Sequence, residues 1–185
     1  MLWRAVQKQW PADRLVFIDE SAARTNLTRL RGRVRGTGRL HDHTPSGHWR
    51  TLTMLGSLRL DGETTCLVIE GATDSEVFRE YIRAVLGPTL RPGDIVVCDN
   101  LAAHRDVEAQ KLIEARGAEL RFLPAYSPDL NPIEMMWSKL KAHLRQAKAR
   151  TDPDLLVAIQ QGLHAVSSSD AQGFFRQAGY MCTII

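Results

Sequence analysis

The sequence predicts an α/β fold, a mixed sheet of five strands with helices on both faces. Three observations carry this expectation. Short apolar runs bounded by turn residues recur at 15–19, 50–60, 65–70, 94–99 and 119–123, as buried strands do. The second and third of them are joined by Asp61-Gly62, a hairpin signal. After that hairpin, strands alternate with amphipathic helical segments, a pattern that places helices over a sheet.

The elements follow in order. LVFID at 15–19 is an apolar run ending in an acid. The Arg/Gly stretch 24–48, punctuated by Gly32, Gly36, Gly38, Pro45 and Gly47, reads as loop or irregular hairpin. Asp74 caps a helix over 75–87 whose apolar face is Val77, Phe78, Tyr81, Ile82 and Val85. Pro92-Gly93 turns the chain into DIVVCD at 94–99, again apolar and again ending in an acid. A helix is expected over 104–116, with Val107, Leu112 and Ile113 apolar and Gly117 stopping it. ELRFL at 119–123 forms the last strand. Ile133, Met136, Trp137, Leu140 and Leu144 then recur at helical spacing, Asp152-Pro153 opens a further helix, and 170–180 fits a short final one.

Composition limits the classes of function. The 185 residues suit one domain, and 44% hydrophobic with 24% charged residues is ordinary for a globular chain. No apolar run approaches the roughly 20 residues that span a bilayer, so no membrane partner is expected. Cys66, Cys98 and Cys182 are odd in number and far apart, which suits a reducing cytoplasm better than a disulfide framework. The net charge of +3 hides an uneven distribution. From Arg24 to Arg50 there are seven arginines (Arg24, Arg29, Arg31, Arg33, Arg35, Arg39 and Arg50) and one acid, Asp42. A second basic cluster holds Lys139, Lys141, Arg145, Lys148 and Arg150. Solvated surface is one reading of each; for the first, polyanion binding is the better one.

The predicted element order is that of the ribonuclease-H-like fold, in which the first and fourth strands lie side by side. Asp19 and Asp99 would then end neighbouring strands, where open sheets bind ligands. Glu134 stands at a helix start. Converging carboxylates repel unless a cation neutralises them, and hard oxygen donors suit Mg²⁺ and phosphodiester chemistry. Each acid also has a local explanation: Asp19 as an acceptor of backbone N–H groups where its strand ends, Asp99 as a turn residue, and Glu134 as the third position of a capping box behind Asn131 and Pro132.

FIDES (17–21), CDNLAAH (98–104) and LPAYSPDLNPIEMMWSKLK (123–141) together resemble the transposases of bacterial insertion sequences in the mariner superfamily. The resemblance runs from about Leu15 to Tyr180 and includes GHWRTLTMLGSLRLDG (47–62) and PGDIVVCDN (92–100). In that family the last two acids of the triad are commonly separated by 34 residues, and here positions 100–133 intervene, which is 34. The resemblance implies that Asp19, Asp99 and Glu134 are the catalytic metal ligands, holding two Mg²⁺ ions for which Mn²⁺ can substitute. Asn100, His104 and Asn131 become supporting residues. Arg24, Arg29, Arg31, Arg33, Arg35, Arg39, Arg50, Lys139, Lys141 and Arg145 become candidate DNA contacts. The implied reaction is hydrolysis at the ends of an element, followed by attack of the freed 3′-hydroxyl on target DNA, typically at a TA dinucleotide. His41, His43 and His48 have no role in the family and read as polar loop residues.

Members usually carry an N-terminal helix-turn-helix region that reads the terminal repeats. Residues 1–14 resemble instead the linker before the first catalytic strand, 15–150 the catalytic domain, and 151–185 its helical extension. The expectation is a catalytic domain joined by frameshifting to a separately encoded N-terminal region, or a truncated remnant. Two alternatives stand beside it: a structure-specific nuclease of the same fold, and a non-catalytic DNA-binding or regulatory remnant. The resemblance further implies double-stranded DNA as partner, a homodimer on DNA, and a cytoplasmic, nucleoid-associated bacterial location. The ending MCTII reads as a hydrophobic tail that packs on the domain or pairs with another chain.

Overall fold

The computed structural model describes residues 2–29, 31–43 and 45–182. After a short helix α1 (Leu2–Val6), the chain forms β1 (Leu15–Arg24), β2 (Thr51–Arg59) and β3 (Thr64–Glu70). It continues through α2 (Ser75–Tyr81), β4 (Ile95–Cys98), α3 (Val107–Glu114) and β5 (Glu119–Phe122). The helices α4 (Ile133–Ala147), α5 (Asp152–His164) and α6 (Ser168–Gln177) complete it. The five strands form one sheet in the order β3-β2-β1-β4-β5. The first three are antiparallel neighbours, whereas β4 and β5 run parallel to β1.

Alternation along the strands divides the core into two layers. Leu15 and Phe17 of β1, with Ile95 and Val97 of β4, face the layer built by α4, α5 and α6. Val16 and Ile18, with Val96 and Cys98, face Phe78, Tyr81 and Ile82 after the hairpin and Ala109 and Ile113 of α3. Asp19 and Asp99 continue the odd-numbered series, so both belong to the α4 side. Glu20 continues the even series toward α2.

The contact between α4 and the sheet depends on a glycine. Gly56 pairs with Asp19 across the β1–β2 ladder, and a Cβ there would stand 2.8 Å from the Trp137 ring and 2.9 Å from the Thr65 carbonyl. Its absence lets Trp137 lie against the sheet beside Asp19. Ile133, Met136, Leu140 and Leu144 complete the buried stripe of α4. The far end of the chain braces the same region: the Tyr180 hydroxyl donates to the Leu130 carbonyl (2.9 Å) and accepts from Trp3 Nε1 (3.3 Å). Tyr180 also packs edge-on to Phe17 of β1.

The structure corrects several local expectations. β1 does not stop at Asp19 but continues to Arg24, still paired with β2 after its pairing with β4 has ended. The α-helix expected over 75–87 ends at Tyr81; a π-turn over Ile82–Leu86 and a 3-10 turn over Gly87–Thr89 follow. The helix expected from His104 begins at Val107, because the Asp106 carboxylate accepts the Glu108 and Ala109 amides (2.8 and 3.0 Å). His104 itself is buried in a preceding 3-10 turn, and Val107 is exposed rather than core-facing. α5 begins at Asp152-Pro153 as expected, with Thr151 as its cap. From Thr183 onward the hydrophobic ending lies outside the described residues.

Between β1 and β2 the described residues of the arginine-rich segment are without regular structure, as expected. It is clamped at its base: Thr25 donates its N–H to the Arg50 carbonyl (3.1 Å) and accepts the Arg50 N–H on Oγ1 (3.0 Å). Arg150 adds bonds to the Thr25 and Leu27 carbonyls. Among the described residues no helix is long and apolar enough to cross a membrane.

Candidate active site

β1 outruns β4, and the step between them opens a cavity of about 340 Å³ lined by Asp19, Asp99 and Glu134. Asn100, Leu101 and Asn131 share its wall, together with the loop from Leu123 to Pro128. Asp19 reaches it from the middle of β1, Asp99 from the residue after β4, and Glu134 from the first turn of α4. Asp19 Oδ2 is buried and has no hydrogen-bond partner. Burial pushes the Asp19 carboxyl up to about 7; the Glu20 amide opposes this, and the Glu134, Asp99 and Glu20 carboxylates add to it.

Asp99 is held differently. Its Oδ1 accepts the Leu101 N–H (3.2 Å) and the His104 Nδ1–H (2.6 Å). Burial favours the neutral acid, but the hydrogen bond and charge of His104 outweigh it and hold the carboxyl below the usual range. His104 is fully buried, packs on Phe78 with ring centroids 4.6 Å apart, and donates from Nε2 to Glu20 Oε1 (3.2 Å). Burial alone would lower its pKa; hydrogen bonds with Asp99, Cys98 and Glu20 raise it instead, so the ring is an imidazolium between two carboxylates. Glu20 is the member of this set that sequence reasoning missed. Its one signal is strand alternation, which turns it away from Asp19 and toward α2.

The capping box expected at Asn131 and Glu134 is not formed. Pro132 already has helical angles (φ −58, ψ −29) and occupies the cap position without a side-chain hydrogen bond. The Glu134 N–H bonds the Asn131 carbonyl (3.2 Å), while the buried Asn131 Oδ1 has no partner. The Glu134 side chain is exposed to the cavity and is not spent on its own helix. Asn100 accepts Arg105 Nε (2.8 Å) at the rim.

The basic residues fall into two groups. Arg50 is engaged with Glu70 (2.5 Å) and Asp152 (2.8 Å), and Lys139 with Asp170 (2.5 Å) and the Ala165 carbonyl (2.9 Å). Both are fixed in the fold. Lys141 and Arg145 lie seven and eleven residues beyond Glu134 on α4, which puts them on its face of the helix, about 10 and 16 Å farther along the axis. Arg29, Arg31, Arg33 and Arg39 line a groove of about 950 Å³ against Gln146 and Lys148 at the end of α4. Asp42, bonded to Lys148, closes one side of it. Arg24 and Arg35 are exposed, at the end of β1 and in the loop.

The family profile described as DDE superfamily endonuclease matches residues 14–156, most of the chain. The chain belongs to this superfamily. Its fold is that of the ribonuclease-H-like catalytic domain of DDE transposases. The solved structure of the Mos1 transposase paired-end complex with left transposon end superposes with a TM-score of 0.73 at 16% identity, over 96% of this chain and 56% of that one. The mariner Mos1 paired-end complex with Mg gives 0.70 at 15% identity, over 96% and 55%. The separate catalytic domain of Mos1 mariner transposase gives 0.55 at 13% identity, over 98% and 91%. The chain thus spans about half the length of the Mos1 chains in the paired-end complexes. No curated protein matches it in sequence.

The residues at the cavity fit a hard divalent cation. The donors are all carboxylate oxygens, Asp19 Oδ2 is buried without a partner, and burial raises Asp19, with repulsion from the neighbouring acids adding to it. Among the described residues no three such groups stand close enough to form a finished metal cluster. Asp19, Asp99 and Glu134 would therefore have to draw closer together for all three to share an ion.

Proposed function

We propose that this chain is the catalytic domain of a transposase, cleaving DNA at the ends of a bacterial insertion sequence and joining the freed ends to target DNA. The observation that carries the proposal is the convergence of Asp19, Asp99 and Glu134, from three distant segments, on one cavity with an unpartnered buried carboxylate oxygen. Asp19 and Asp99 would hold Mg²⁺, or Mn²⁺ in its place, with Glu134 completing a site for two ions. Bound there, the metal would supply activation of the attacking oxygen and neutralisation of the leaving one in an in-line displacement at phosphorus. The same geometry serves water in hydrolysis and a 3′-hydroxyl in strand transfer.

The chain's own groups do the rest. His104, braced by Glu20, fixes one oxygen of Asp99 and leaves the other to face the cavity. Lys141, Arg145 and the arginines of the β1–β2 loop extend a positive path away from Glu134, suited to phosphates of double-stranded DNA. Selection of element ends belongs to a helix-turn-helix region fused to or encoded beside this chain, and the active form is a homodimer on DNA. Asn131 supports the loop that presents Glu134.

The test is metal-dependent nicking of supercoiled plasmid, followed by joining of a pre-cut DNA end. Asp99→Asn and Glu134→Gln should abolish both while the proteins remain folded. Nicking undiminished in these variants would refute the assignment, and nicking without any joining would make the chain a nuclease.

A further inference from the structure

Among the described residues, two that are not glycine have a positive φ: Lys148 and Tyr126. Lys148 has a structural reason, since it closes α4 in the left-handed conformation and bonds back to the Leu144 carbonyl. Tyr126 has none. Its φ is 56°, in a region that a bulky side chain rarely occupies, and glycine or asparagine would occupy that turn with less strain. Its side chain is also fully exposed, so packing does not explain it. A strained backbone holding an aromatic ring in solvent contributes nothing evident to the fold.

Its position does suggest a use. Tyr126 lines the same cavity as the three acids, on a loop anchored at both ends. Leu123 donates to the Cys98 carbonyl (2.8 Å) and Leu130 to the Ser127 carbonyl (3.1 Å), with Pro124 and Pro128 stiffening the segment between. Leu101, about half exposed, and Pro124, Ala125 and Pro128 give this part of the cavity an apolar wall. One part of the pocket is therefore built for charge and the other for a flat apolar group.

We infer that Tyr126 is a base-stacking residue, gripping the nucleobase next to the phosphate that enters among Asp19, Asp99 and Glu134. This rests on the phosphodiester reading above. Where a duplex end frays or the strand is single, the nucleotide beside the phosphate can turn out of the stack at a modest cost. An aromatic face at the rim replaces the stacking that the base gives up. It does so for any base, since every base has a π-face. The strained turn holds the ring at the opening before DNA arrives, so little ordering remains to be done on binding.

The experiment measures fluorescence anisotropy of the full chain with a labelled duplex carrying a single-stranded tail, in Ca²⁺. The tail is either all thymidine or all abasic. Wild type should bind the thymidine tail about tenfold more tightly, the scale of one base-aromatic stack. Tyr126→Ala should bind both tails equally, at the weaker level, whereas Tyr126→Phe and Tyr126→Trp should keep the preference. Tyr126→Gly relieves the backbone strain, so it should melt no lower than wild type while losing the preference. A preference that survives in Tyr126→Ala, or is absent from a wild type that binds DNA and nicks plasmid, overturns the inference and leaves the catalytic reading standing. Failure of wild type to bind either DNA overturns both.

Discussion

An asparagine at position 19 keeps the shape of the side chain but removes a charge that the metal-free fold accommodates poorly. The carboxyl sits at about 7 in the folded chain against 3.8 for the free side chain. Between those values the folded protein holds a proton that the unfolded chain has released. Stability therefore falls as pH rises from about 4 through 7, and levels off above. The full penalty above pH 7 is at most about 4 kcal/mol. Water reaching the partly exposed side chain screens part of it, leaving an expected gain for Asp19→Asn of about 1–2 kcal/mol at pH 8. For a chain of 185 residues that is a rise in Tm of about 4 °C. The assay is thermal melting in EDTA across this range. The two proteins should coincide near pH 4 and diverge toward pH 8. Added Mg²⁺ should then raise wild type alone, by binding only the folded form with its carboxylate intact. A variant that is less stable than wild type in EDTA at pH 8, or a difference that ignores pH, would refute the reasoning.

Three further outcomes are expected. Removing the imidazolium that braces Asp99, in His104→Ala, should weaken Mn²⁺ binding about 10- to 100-fold by titration calorimetry; unchanged affinity would separate His104 from the site. Arg59 and Asp94 form a buried pair at 2.6 Å, so Asp94→Ala should cost about 3–5 kcal/mol in urea unfolding by stranding the guanidinium, and the double change Arg59→Met, Asp94→Leu should recover most of it. Lys141→Ala and Arg145→Ala should each reduce the slope of log K against log salt for DNA binding by about 0.9. Lys139→Ala should lower stability instead, since its ammonium is fixed to Asp170 and Ala165; equal slopes for all three would erase that distinction.

The sheet and the acids were legible because they rest on periodic signals: apolar runs that stop at Asp19 and Asp99, and a helical stripe that begins beside Glu134. What was not legible depends on partners far along the chain. The segment Glu20 to Arg24 has no apolar alternation long enough to extend β1, yet β2 pairs with it and buries Ser21 and Ala23. His104 looked like a helix start because Asp106, the real cap, lies only two residues on. Its burial between Asp99 and Glu20 joins residues 84 apart. The capping box failed for a local reason that motif reading overlooks: Pro132 is helical already, so the cap position moves past Asn131. Arg50 and Lys139 look as cationic as their neighbours, and their carboxylate partners show only in the fold.

The bond from Tyr180 to the Leu130 carbonyl has a further meaning. The matched family profile ends at residue 156, whereas this tie comes from beyond it. Membership of the superfamily and stiffness of the cavity floor are thus written in different parts of the chain. A version cut after α5 would retain every acid and the whole family signature. It would still release the turn ahead of Glu134, and with it one of the three carboxylates at the cavity.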